Sequence, residues 1–433
     1  MGKGQGFTRS LAERIGAITY EALPGEAVQT VKRGIIDCVG VLFAGRDQPV
    51  VKILLQDLAP GNEATLLFGE RKARSADAAL VNGAAGHALD YDDVAIDGHP
   101  SVVLTPAILA EGERLGASGK ALLAAYVAGY ETWGELVSRD ADPYHSKGWH
   151  PTAVFGTIGA AAAASLLARL NPERTANALA IAASMAGGLM ANFGTMTKPF
   201  HAGRAAQNGI QAARLAAAGM TASPDAFEHP SGFLAAFSPK GRVRTDEPVK
   251  SHEWHILRHG LNIKRYPVCY ALHRSIDALL GMKIEGNVEA IEIHVGKLQA
   301  TMLRHSSPQN ALDAKFSAQF AVAAALTSGK VGLAELSDGY VQRKDIQALM
   351  LKVRVATTDA ADPDEPIFAP FDYVVVNGVK SREIRHAKGH ARNPLTLEEL
   401  REKFDDCTGG RQRSLFDRLH ALESLANVRE IRS

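Results

Sequence analysis

Along the first 260 positions apolar residues recur at helical spacing, and the same spacing returns over the last 40 or so. In between, they alternate. Ser10-x-x-Glu13 reads as a capping box leading into Leu11, Ile15 and Ile18. A second helix carries Val28, Val31, Ile35 and Val39 on one face, and a third is expected over 50–58, ended by Pro60-Gly61. A strand-like piece at 64–68 precedes a helix opened by Ser75, whose Ala79, Gly83 and Gly86 are small enough for a neighbouring helix to come close. Thr105-Pro106 predicts an N-cap and first helical position. Ser118 predicts another cap, for a helix to about Ser138 that buries Leu122, Tyr126, Tyr130 and Trp133. An alanine-rich helix over 152–170 follows, then one opened by Asn171-Pro172-Glu173, then one striped with Gly203, Ala206, Gly209 and Ala213 for tight packing.

The texture changes near Asn262. Ile291, Ile293 and Val295 alternate with Glu292 and His294, as in a strand with one buried face. Helices are expected over 270–280 and 313–326, a strand over 351–355, and a hairpin in which Tyr373–Val376 turns on Asn377-Gly378. After Arg385 the helical texture returns, with Thr396-x-x-Glu399 as a capping box. The pattern predicts a mostly α protein: a helical domain over 1–262, a smaller α+β domain over 263–385, and C-terminal helices over 386–433 that rejoin the first.

Charge narrows the function classes. With 48 Lys+Arg against 47 Asp+Glu, the net charge of +1 provides no global field for nucleic acid or an anionic membrane. Cys38, Cys269 and Cys407 stand far apart, without C-x-x-C, so neither a disulfide framework nor a zinc knuckle is expected, and a reducing cytoplasm fits. Cys269 sits in an apolar setting and reads as a core residue. The N-terminal M-G-K-G-Q-G-F lacks a signal-type apolar core, and the longest apolar run, Ala153 to Leu170, reads as a buried helix rather than a membrane span.

Polar density rises abruptly between Val81 and Thr105, where Asp90, Asp92, Asp93, Asp97, His87 and His99 fall within 13 positions. Two further polar knots follow, around His150-Pro151 and Lys198-Pro199. Like His99-Pro100, each lies just before a predicted helix N-terminus, where free N–H groups and the positive dipole end favour carboxylate or phosphate. The His and Asp cluster suits a divalent ion in residue type, but its spacing matches no metal motif. No P-loop, no G-x-G-x-x-G after a strand and no G-x-S-x-G elbow occurs.

In their order, H-A-L-D-Y-D-D with G-H-P-S, G-W-H-P-T-A-V-F-G, T-K-P-F-H-A-G and I-K-R-Y-P-V-C resemble the MmgE/PrpD family over roughly residues 8 to 400. That family includes 2-methylcitrate dehydratase, cis-aconitate decarboxylase and iminodisuccinate epimerase. The resemblance implies a large all-helical domain with an inserted α+β lid domain, a homodimer, and no metal or organic cofactor. It also implies a decarboxylase-like site with Asp90, His99, His150, Lys198 and Lys264 around a small polycarboxylate in the cleft between domains, His201 and Val94 beside it. Val94 stands where the decarboxylase pattern has threonine, and Phe320 where it has tyrosine, which makes that wall more apolar.

The residue types suit proton transfer next to a carboxylate. Lys198 and Lys264 can stabilise enolate-like charge, His99 and His150 can exchange protons near neutral pH, and Asp90 can orient one of them. The leading expectation is a cofactor-independent, cytoplasmic lyase that eliminates water from a hydroxylated di- or tricarboxylate. Decarboxylation and epimerisation are the alternatives on the same scaffold, and a non-catalytic metabolite-binding protein is the alternative of another class.

Overall fold

The computed structural model describes residues 6–66, 69, 71–245 and 253–432. Residues 1–5 of the N-terminal heptapeptide, and 67 and 68 of the expected first strand, fall outside that set. The chain forms two compact units, one running to Leu261 and resuming at Leu400, the other from Asn262 to Glu399.

The first unit opens with α1 (Phe7–Gly16), α2 (Gly25–Gly45) and α3 (Pro49–Asp57), followed by a two-stranded ribbon of β1 (Ala64–Thr65) and β2 (Lys72–Ala73). Then come α4 (Ser75–His87), α5 (Ser101–Leu115), α6 (Gly119–Ser138), α7 (Pro151–Leu167), α8 (Pro172–Met185) and α9 (Thr197–Ala217), and the short α10 (Phe233–Phe237) and α11 (His255–His259). The glycine stripes explain the packing. A Cβ on Gly83 of α4 would lie 2.8 Å from Gly203 Cα of α9, and one on Gly203 would lie 2.0 Å from the Leu80 carbonyl oxygen. Across α9 and α7, a Cβ on Gly209 would stand 2.4 Å from Ala160 Cβ. Backbones this close exclude larger side chains, and overpacking of this kind costs about 1–3 kcal/mol.

Two expected caps are present: Ser118 accepts the Ala121 N–H at 3.3 Å and Asn171 accepts the Arg174 N–H at 2.9 Å. Two are replaced by distant partners. Ser10 lies inside α1, whose first turn is held instead by the Glu228 carboxylate accepting the Thr8 N–H at 3.1 Å. The helix expected from Thr105 begins four residues earlier, because the Asp93 carboxylate accepts the Ser101 N–H at 3.2 Å. Pro106 is thus inside α5, where it leaves the Val102 carbonyl without its helical donor at the glycine-lined contact with α4.

The second unit contains α12 (His273–Leu280), β3 (Ile291–Gly296), α13 (Lys297–Ala300), α14 (Ala311–Ala314), α15 (Ala318–Ser328), α16 (Asp338–Val341), α17 (Lys344–Met350), β4 (Val353–Thr358), β5 (Tyr373–Val376) and β6 (Val379–Lys380). Its sheet has the order β4-β3-β5-β6. β3 runs parallel to β4, with Ile291 opposite Val353, and antiparallel to β5, with Ile293 opposite Val374. Ile291, Ile293, Val374 and Val376 turn inward onto Ile276, Leu279 and Phe320. The hairpin turn uses Asn377 and Gly378 with φ of 49° and 82°, the left-handed pair that such a turn requires. The helix expected over 313–326 is broken near Phe316, and Ser317 caps the second piece by accepting the Phe320 N–H at 3.1 Å. Residues 386–399 belong to this unit too. The Gly389 carbonyl accepts the Ile263 N–H at 2.8 Å and Asn262 Oδ1 accepts the Ala391 N–H at 2.9 Å, so the return expected at 386 falls at Leu400. α18 (Leu397–Thr408) and α19 (Arg413–His420) lead the chain back, α18 opened by Thr396 and Glu399 bonding each other's N–H groups. No described helix is long and apolar enough to cross a membrane.

Candidate active site

α4 ends at His87 and α5 begins at Ser101, so the stretch between them is held at both ends by helices. Its backbone is bent by three residues with positive φ: Asp90 at 54°, Ile96 at 40° and Asp97 at 67°. Ala95 and Gly98 exchange two N–H···O bonds of 2.9 Å around Ile96 and Asp97. A left-handed β-branched isoleucine costs on the order of 1–2 kcal/mol. Trp133 offsets this by donating its indole N–H to the Ile96 carbonyl at 3.0 Å. The turn leaves Asp97 exposed, 3.9 Å from His145.

Asp92 is the hub of the stretch. Fully buried, it lies 3.0 Å from His87 Nδ1 and 2.8 Å from His99 Nδ1, so one carboxylate holds two imidazoles. Burial disfavours its charge, but His87 and His99 beside it hold it well below the usual carboxylate range. Burial also depresses His87, to about 4, against the opposing pull of Asp92. Together these describe an ionised Asp92 that accepts from a neutral His87 Nδ1–H. His99 meets Asp92 through Nδ1 and turns Nε2 toward Asp90, 4.0 Å away. Its backbone N–H is donated to Thr152 Oγ1 at 3.1 Å, which ties the knot to α7. The neighbouring Asp93 faces the other way, accepting from Ser101, and burial with the charges of Asp37 and Asp92 raises its pKa.

The second and third knots complete the cluster. Lys198, in the first turn of α9, donates to Asp90 Oδ1 at 2.7 Å. One turn on, His201 places Nδ1 3.2 Å from His150 Nδ1. His150 precedes Pro151 at the start of α7, and its ring stacks 5.9 Å from that of His87. Burial, with His87, Lys198 and His99 nearby, pushes the His150 imidazole far below the ordinary histidine range. It is therefore neutral at physiological pH. Burial lowers His201 as well.

Phe193 was not singled out by any motif. Its ring meets His150 edge-on at 4.8 Å, lies 6.3 Å from that of His145 and sits 5.3 Å beneath the Lys198 ammonium. The segment that carries it pairs with the second knot through the His150 N–H to the Gly188 carbonyl and the Met190 N–H to the Gly148 carbonyl, both 2.9 Å. Gly188 is required there. Its φ is 156°, and a Cβ would lie 2.7 Å from Ala153 Cβ. Such a residue lies in an aperiodic, glycine-rich segment that gives sequence patterning nothing to detect.

Within the first unit, then, Asp90, His99, His150, Lys198 and His201 come together, with His87, Asp92 and Phe193 added. Val94 is half-buried on the same stretch. Lys264 lies in the second unit, almost fully buried. Phe320 does not form an exposed wall. It is completely enclosed in the second unit's core, its ring against Tyr340 at 6.3 Å, because the alanine-rich α15 turns that face inward.

His87, Asp90, Asp92 and His99 each offer a ligand atom within 4.8 Å of the others, a donor set suited to a divalent ion. Both carboxylates already have partners, Lys198 on Asp90 and two imidazoles on Asp92. Glu365, His386 and His390 form a second group in the other unit. There His390 Nδ1 accepts the Arg392 N–H at 3.0 Å, so Nε2 carries the proton given to Glu365 at 2.9 Å and has no lone pair for an ion.

Comparison with known families gives this arrangement a context. Residues 9–246 match the MmgE/PrpD N-terminal domain, and residues 266–418 match the MmgE/PrpD C-terminal domain. The chain belongs to the MmgE/PrpD family. Among similar proteins, cis-aconitate decarboxylase of Homo sapiens is 30% identical over 422 residues, covering 92% of this chain and 87% of its own. Cis-aconitate decarboxylase of Aspergillus terreus is 25% identical over 83% of this chain and 80% of its own. 2-Methylcitrate dehydratase of Escherichia coli O157:H7 is 24% identical over 92% of this chain and 89% of its own. These MmgE/PrpD relatives are named as enzymes, and their names specify small polycarboxylates.

Proposed function

We propose that this chain is a cofactor-independent lyase acting on a small di- or tricarboxylate, with proton transfer at a carbon beside a carboxylate as its central step. The observation that carries the reading is the Asp92–His99 pair, 2.8 Å apart, whose second ring nitrogen faces the Asp90–Lys198 ion pair. A buried carboxylate against Nδ1 orients the imidazole and leaves Nε2 facing the space beside Asp90, so His99 is the proton carrier in this reading. Lys198 supplies a fixed cation for the charge that develops on the substrate. His150, neutral, is a hydrogen-bond partner that can also take a proton once substrate carboxylates are near. For Lys264 the proposed role is carboxylate binding.

Decarboxylation is the first chemistry to assay. When the C–C bond to the departing carboxylate breaks, its electron pair passes into the remaining unsaturated acid, and His99 returns one proton to carbon. The leaving group loses its charge as it goes, and Phe193 beside His150 gives it an apolar surface. That residue, with the 30% identity to a cis-aconitate decarboxylase, moves decarboxylation ahead of the dehydration suggested by motifs alone. Dehydration is the second reading. It is favoured by the presence of two imidazoles, one to take the carbon-bound proton and one to give a proton to the departing hydroxyl.

Purified protein incubated with cis-aconitate, citrate and 2-methylcitrate in deuterated water, followed by NMR, separates the chemistries. Decarboxylation releases CO2 and leaves one deuterium on carbon, whereas dehydration yields the unsaturated acid. Deuterium exchange without net reaction indicates epimerase-type chemistry. Neither exchange nor turnover across a polycarboxylate panel would overturn the lyase reading in favour of a binding protein.

A further inference from the structure

Behind the 87–101 stretch lies a second ionic pair, contributed by the returning C-terminal segment. Lys403, on α18, has a side chain only 3% exposed, and its ammonium is 2.5 Å from Asp37 Oδ1 on α2. It also donates to the Tyr91 carbonyl at 2.9 Å and sits 4.0 Å from the centroid of the Tyr91 ring. Tyr91 is itself buried, and it lies between the two acids of the site. A desolvated ammonium is tolerated only where its charge and its N–H groups are satisfied. Asp37 supplies the charge, and Tyr91 takes both of the other contacts.

The Tyr91 carbonyl belongs to the peptide that leads into Asp92, and the residue before Tyr91 is the left-handed Asp90. Fixing that carbonyl and that ring leaves the chain one direction in which to present its acids: Asp90 toward Lys198 and Asp92 toward the two imidazoles. We propose that Lys403 is a positioning residue for the candidate active site, holding the Asp90–Tyr91–Asp92 backbone from a point 312 residues away in sequence. Its activity consequence rests on the lyase reading above; its structural consequence does not.

The test uses the full chain labelled with 13C at histidine Cε1. The double variant Asp37→Asn/Lys403→Met removes both buried charges at once, so that neither is left unpaired. Leu419→Ala, which opens a cavity in the buried face of α19, serves as a control for general destabilisation. The His87 and His99 ring cross-peaks should move in the double variant and stay in place in the control. Lys403→Arg, which keeps the charge but not the compact ammonium, gives the same reading if the double variant does not fold. Cross-peaks that superimpose on the wild type in a folded variant, or that move equally in the control, would overturn the proposal. On whichever substrate the wild type turns over, kcat should fall roughly 10- to 100-fold with KM little changed, as for a catalytic group displaced by about 1 Å. Absence of wild-type turnover would count against the lyase reading while leaving the cross-peak comparison intact.

Discussion

Asp92→Asn is the most direct perturbation of the chemistry. The carboxylate accepts from His87 Nδ1 at 3.0 Å and lies 2.8 Å from His99 Nδ1. An asparagine of the same shape offers one acceptor oxygen and one donor NH2, so one of the two rings must reverse its tautomer and accept at Nδ1. If that ring is His99, its Nε2 becomes a donor and can no longer take a proton. The charge is lost as well. At 2.8 Å, two unit charges in a medium of effective dielectric near 20 attract by at most about 6 kcal/mol. Loss of the corresponding aspartate in Ser-His-Asp sites, which leaves geometry intact and spoils the tautomer, costs roughly 10⁴-fold in kcat, or about 5 kcal/mol. The two figures agree, so kcat should fall about 10³- to 10⁴-fold with KM changed far less. The assay is steady-state turnover on the best substrate of the polycarboxylate panel, with circular dichroism to confirm folding. A folded Asp92→Asn variant that keeps more than about a tenth of wild-type kcat would refute the hub role.

Further outcomes follow from the same geometry. The folded His87 imidazole titrates near 4, against about 6.5 in the unfolded chain. Between those values the unfolded chain binds a proton that the folded chain refuses, and stability rises with pH. That contribution amounts to about 2 kcal/mol lost between about pH 7.5 and pH 5. Urea unfolding of His87→Gln should therefore lose about 2 kcal/mol less than wild type over that range, and parallel slopes would show that His87 is not the group responsible. His150→Ala should lower turnover at least about 100-fold while the chain remains folded, and near-wild-type kcat would remove His150 from the mechanism. Dialysis against a chelator should leave turnover unchanged. Loss of activity restored by one divalent ion would instead make His87, Asp90, Asp92 and His99 a metal centre.

Much of this architecture is legible because it is written locally. Ser118, Asn171 and the Thr396/Glu399 pair cap helices with neighbours three residues away, and Asn377-Gly378 turns a hairpin with its own dihedral angles. Polar density between two helices likewise marks the 87–101 stretch without reference to anything distant. What escapes a reading of the sequence depends on partners far along the chain. Asp93 sets the start of α5 and Glu228 that of α1, so the local signals at Thr105 and Ser10 mislead. The stretch itself is irregular and has no period, so nothing in its spacing shows that Asp92, rather than Asp90 or Asp97, faces both imidazoles. Phe193 is hidden for the same reason, and the enclosure of Phe320 depends on which side of α15 meets the sheet.

The close contacts of the glycines of α4 and α9, with each other and with Ala160 of α7, carry a consequence for where this scaffold can vary. Where a Cβ on Gly203 would stand 2.0 Å from a carbonyl oxygen, any larger side chain collides with backbone, and each such change costs stability. The helices that hold His87, His150 and Lys198 are therefore close to frozen. Val94 and Phe193 sit on connecting segments instead, where side chains can be exchanged without moving a helix. If the lyase reading holds, a library that varies those two positions together, around an unchanging set of acids and imidazoles, is where a change of specificity should be sought.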